Sequence, residues 1–247
     1  MPKTDDYCET LKNLADWSPY LMQASGLPGP RGNLELAHAV AQVGTRAQFD
    51  QLLDFAPIET NTPQEFLVFC GALGLGKLIA DGDLTQLPRL RAYAIDKSWR
   101  VREAAATALQ LVGDRNMDLL LQEASRWSQG SWLEKRAAAA ALAEPRLLKG
   151  ADQARTAQAI IDAITTSMAG SDERAGEGFK VLRQAMGYCW SVVVAALPDP
   201  GKKLMEKWLT STDKDISWMM RENLKKNRLL KADPAWTQTW QARLNLS

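Results

Sequence analysis

The sequence predicts an all-α protein, a right-handed α-α superhelix (α-solenoid) of about six stacked helical hairpins. Three observations lead there. A segment opening with Ser-Trp recurs along the chain, and in its first two copies Trp99 and Trp132 stand 33 residues apart. Apolar positions inside these segments follow a helical period. No stretch alternates apolar and polar residues as a half-buried strand would.

The repeat is clearest where Ser98-Trp99-Arg100-Val101-Arg102-Glu103 aligns without gaps to Ser131-Trp132-Leu133-Glu134-Lys135-Arg136, both running on into alanines. A third copy is Ser217-Trp218-Met219-Met220-Arg221-Glu222. Serine suits a helix start because its hydroxyl accepts from a first-turn N–H that has no partner in the helix. Alanine favours helix and lets a neighbour approach closely. Val101, Ala104, Ala105, Ala108, Leu109 and Val112 share one helical face.

One row of helices is expected at about 33–43, 64–79, 98–112, 131–143, 175–196 and 215–230. A second row is expected at about 47–57, 84–95, 115–128, 152–169, 200–211 and 234–243. Pro63, Pro145, Pro198, Pro200 and Pro234 fall between or at the starts of these helices, where proline does least harm. The domain expectation is a single repeat domain over 1–247, with an irregular lead-in at 1–32 and a capping helix at 234–243. One hairpin cannot bury its apolar face alone, so neighbours must stack.

Composition excludes several classes. Hydrophobic residues make up 46% of the chain and the net charge is +1, so disorder is not expected and no global attraction to nucleic acid or membrane follows. Cys8, Cys70 and Cys189 are far apart, without a CxxC pair. With His38 the single histidine, no zinc set is recognisable, and neither a metal nor a cofactor is expected. The opening MPKTDDYCET lacks the apolar core of a secretory signal, and uninterrupted apolar runs such as Val192 to Leu197 are far short of a membrane span. The expected location is cytoplasmic, with no membrane partner.

One motif misleads. Gly71-Ala72-Leu73-Gly74-Leu75-Gly76-Lys77 has P-loop spacing, but Leu78 stands where magnesium needs a serine or threonine, and no strand or parallel sheet accompanies it. A glycine-containing helix is the expectation there. His38 has no nucleophile assigned to it by sequence and is expected to be structural or at the surface.

The segment Asp96-Lys97-Ser98-Trp99-Arg100-Val101-Arg102 resembles the HEAT-repeat motif, with its turn aspartate and its Val-Arg in the second helix. The resemblance implies ladders of Asp–Arg pairs between repeats, Asp96 with Arg102 and Asp215 with Arg221 in the motif positions and Lys135 replacing the arginine in the middle copy. It also implies that the second helices line a concave surface. The stretch from Trp218 to Leu229 is similar to the last repeat of DNA-alkylation-repair-type HEAT-like proteins, although their Trp-Trp-Asp stretch has no counterpart here.

These readings converge on a non-catalytic scaffold that binds a protein or peptide on its concave face. The candidate contacts are Arg100, Glu103, Thr107, Arg136, Lys180, Arg183, Met219, Glu222 and Lys226, all expected to be exposed. The alternative is a HEAT-like nucleic acid binder related to alkylated-DNA repair glycosylases, using the basic residues of the same helices. The nine tryptophans fit either packing anchors at the hairpin turns or an interface.

Overall fold

Helix follows helix along the chain, in register with the apolar period. The computed structural model describes residues 3–246. Among them there are fifteen α-helices and no strand. The chain divides into two compact units, Met1–Arg115 and Asn116–Ser247.

In the first unit the helices are α1 (Lys3–Lys12), α2 (Ser18–Ala24), α3 (Leu34–Val43), α4 (Arg46–Leu53), α5 (Pro63–Ala80), α6 (Leu87–Tyr93) and α7 (Trp99–Arg115). Where an irregular lead-in is expected, the chain is helical: α1 packs on α3, and α2 packs on α5. The polar run of α1 hides its role, because among its described side chains only Cys8 and Leu11 are buried. Trp17, itself buried, closes that helix by donating its indole N–H to the Leu11 carbonyl at 2.8 Å.

α5 is the core of this unit. Residues 65–76 are buried without interruption, which is why the helix is apolar all round. By length and composition it could cross a membrane, but it is mostly buried inside the protein. The P-loop-like glycines lie within it and serve packing. A Cβ on Gly74 would sit 2.2 Å from the Phe49 ring of α4, and one on Gly76 would sit 2.5 Å from the Ala108 carbonyl oxygen of α7. Gly76→Val is therefore expected to lower the unfolding free energy by about 1–3 kcal/mol through overpacking. Urea denaturation followed by circular dichroism checks this; a midpoint equal to the native one would show that α5 and α7 part without cost.

α3, α5 and α7 lie side by side and point the same way. Leu34, Phe66 and Trp99, near their starts, line one cavity, while Gln42, Ala80 and Leu111, near their ends, line another of about 290 Å³. His38 is exposed at this second cavity. α4 runs back across the row, with Arg46 and Asp50 of its surface tied to Asp83 and Arg89.

The second unit holds α8 (Met117–Trp127), α9 (Trp132–Leu142), α10 (Ala151–Ala169), α11 (Glu177–Ala196), α12 (Pro198–Leu209), α13 (Lys214–Leu224), α14 (Asn227–Ala232) and α15 (Pro234–Arg243). Again three helices align: the starts of α9 and α11 meet through Trp132 and Phe179, and Arg183 of α11 reaches Asp215 and Trp218 in the first turns of α13. Asn223 staples α13 to the middle of α11. It accepts from the Ser191 N–H at 2.8 Å and donates to the Met186 and Met219 carbonyls at 2.7 and 2.8 Å. The helix expected at 215–230 is broken at Lys225 and Lys226; the free Leu224 carbonyl is taken by the Gln241 amide of α15 at 2.8 Å. All three cysteines are buried, and none of them forms a disulfide.

Two of the three Ser-Trp serines are helix caps. Ser131 forms a capping box with Glu134, and Ser98 accepts from the N–H groups of Arg100 and Val101. Ser217 is different: α13 starts earlier, capped by Asp213, and Ser217 lies one turn inside it.

Candidate functional site

The first turns of α3, α5 and α7 converge in the first unit. Asn33, Thr62 and Ser98 cap them, each side-chain oxygen accepting from a first-turn N–H. Leu34, Phe66, Phe69, Trp99, Arg100 and Glu103 project from these turns around a cavity of about 160 Å³. The loop between α2 and α3 closes it with Leu27, Pro30, Arg31 and Gly32.

A buried polar network holds this cavity in shape. Glu65 is fully buried, accepting from the Asn61 N–H at 2.9 Å, from Arg100 Nη1 at 3.1 Å, and from the Ser98 hydroxyl. Arg100 Nη2 donates to the Gly29 carbonyl at 2.6 Å, and the Asn61 amide oxygen accepts from the Gly29 N–H at 3.1 Å. Both backbone groups of Gly29 are thus pinned, and the α2–α3 loop is held against the starts of α5 and α7. The glutamate can be buried because a guanidinium and two further donors replace the water it loses.

The mouth is apolar. Trp99 is 52% exposed and Leu34 57%, while Phe66 and Phe69 behind them are buried. The Arg100 guanidinium lies over the Trp99 ring, 4.5 Å from its centroid. The lining holds no histidine, cysteine, serine or threonine, so the cavity offers burial and charge rather than a nucleophile with its base. Small-molecule sites occupy about 300–1,000 Å³; this one is closer to the room one amino-acid side chain needs. Among the described residues, no group of three or more His, Cys, Asp and Glu is placed to hold a metal ion.

The expected contact residues are not all available. Arg100 and Glu103 do line the pocket, but Arg100 is buried by its pairing with Glu65 rather than exposed. Met219 is a clear correction: it is fully buried, because that side of α13 faces α11. Thr107, Arg136, Arg183, Glu222 and Lys226 are half-buried, and Lys180 is exposed. Arg183 is engaged by Asp215 at 2.7 Å and by the Trp218 ring at 3.8 Å, and Glu222 takes the Lys225 ammonium at 2.6 Å.

The ladder residues mainly hold turns. Asp96 accepts from the Ser98 N–H at 2.7 Å, and Arg102 Nη1 donates to the carbonyls of Asp96 and Lys97. Lys135 does the equivalent job with the Gly130 carbonyl at 2.5 Å, and burial pushes its pKa down. Asp215 is paired by Arg183 and Arg174, not by Arg221 of its own helix.

The pocket residues Leu34, Arg31, Phe66 and Phe69, and the buried Glu65 behind them, escape sequence reasoning. One signal was present: an acid in the first turn of the most apolar helix in the chain needs a buried partner. No family model matches this chain, and no curated protein or solved structure matches it either.

Proposed function

We propose that the chain is a non-catalytic scaffold of HEAT-like repeats, a solenoid of helical hairpins, that binds a protein or peptide and anchors it at the pocket between the starts of α3, α5 and α7. One observation carries this: Trp99 and Leu34 stand half-exposed at the mouth of an apolar pocket sized for one side chain. Tryptophan is among the residues enriched at the hot spots of protein interfaces. The repeated Ser-Trp helices and the aligned rows in each unit support the repeat reading.

The nucleic acid reading has less support. Arg100, Arg183 and Lys225 already face the carboxylates of Glu65, Asp215 and Glu222, so fewer positive charges are left for phosphates.

Affinity capture from the native host, with the wild-type chain and with the Leu34→Ser/Trp99→Ser variant, tests the proposal. One protein is expected to resist nuclease treatment and to be recovered about tenfold less by the variant. Recovery that the variant does not change, or that nuclease abolishes, would refute it.

A further inference from the structure

The second unit shows how this protein covers its Ser-Trp tryptophans. Trp132 meets the Phe179 ring edge-on, with centroids 5.4 Å apart and planes at 86°. Trp218 lies under the Arg183 guanidinium. Both tryptophans are half-buried. Trp99 is the repeat equivalent of Trp132 and has the guanidinium, from Arg100, but no aromatic ring against it among the described residues. Its ring remains 52% exposed, beside a cavity with Phe66 and Phe69 in its wall. An aromatic ring entering there would meet Trp99 in the edge-on arrangement that aromatic quadrupoles favour.

The charges at the mouth determine what flanks that ring. Arg100 is neutralised by Glu65 beneath it. Glu103 has interactions of its own within the protein. Arg31 is exposed, and among the described residues no carboxylate pairs with it. Arg31 therefore offers a positive charge at the mouth, which favours an acidic neighbour on the incoming chain.

Resting on the docking reading above, we infer that the pocket recognises a peptide segment carrying an aromatic side chain next to an acidic residue. The ring fills the space between Trp99, Phe66 and Phe69, and the carboxylate faces Arg31.

The full chain is titrated with acetyl-Gly-Asp-Phe-Asp-Gly-amide while the Trp99 indole N–H signal is followed by NMR, assigned by its loss in Trp99→Phe. Parallel titrations use leucine or alanine in place of phenylalanine, or lysine in place of both aspartates. The phenylalanine peptide is expected to shift the signal saturably and to bind about fivefold tighter than the leucine peptide. The alanine peptide is expected to give no saturable shift. The lysine-flanked peptide should bind more weakly, and Arg31→Glu should reverse that order. Leucine binding as tightly as phenylalanine overturns the aromatic assignment but leaves the pocket a docking site. An order unchanged by Arg31→Glu overturns the acidic assignment. No saturable shift with any peptide overturns both the inference and the docking reading.

Discussion

Arg100→Met is expected to cost the first unit about 3–5 kcal/mol, because it strands Glu65 as an unpaired buried charge. The arginine's side chain is 9% exposed and the glutamate's 0%, so water cannot take over the lost contact. The Gly29 carbonyl loses its donor in the same step. Glu65→Gln combined with Arg100→Met should recover much of the loss, since the amide no longer needs a counter-charge. Chemical denaturation of both variants, with hydrogen exchange read at α5 and α7 amides, checks the order. If the single variant is as stable as the native chain, the network does not organise this pocket.

In the second unit Trp190→Ala is expected to cost about 3–5 kcal/mol by leaving a large cavity. Trp190 is fully buried at the centre of α11. Its indole N–H donates to the Thr165 hydroxyl of α10 at 2.9 Å, and that hydroxyl in turn donates to the Ile161 carbonyl at 2.8 Å. Trp190→Phe keeps most of the volume and gives up that hydrogen bond, so a loss of about 1–2 kcal/mol is expected. Urea midpoints should rank native above phenylalanine above alanine. An alanine variant as stable as the phenylalanine one would mean that the core around α10 and α11 collapses freely.

Most of the helices were legible because their apolar period and punctuation agree. Pro63, Pro198 and Pro234 sit in the first turns of α5, α12 and α15, where proline was expected. α1 and α2 were not legible. α1 buries little beyond Cys8 and Leu11, so its pattern carries almost no apolar signal. Met219 was misassigned because two methionines in a row give no hint of which faces inward, and both prove buried. Arg100 was assigned to a surface because its partner, Glu65, is 35 residues away and belongs to another helix. Pairing across helices decides the site, and local periodicity does not contain it.

Parallel alignment within the first unit has an electrical consequence. In α3, α5 and α7 the peptide dipoles add rather than cancel, so one rim of the row carries partial positive charge and the opposite rim partial negative charge. Glu65 sits at the positive rim, as do Arg31 and the mouth of the cavity. Lys77 and Arg115 sit in the last turns at the other rim, where cations offset the field. The backbone itself therefore makes the two ends of this three-helix row unlike surfaces to an approaching ion.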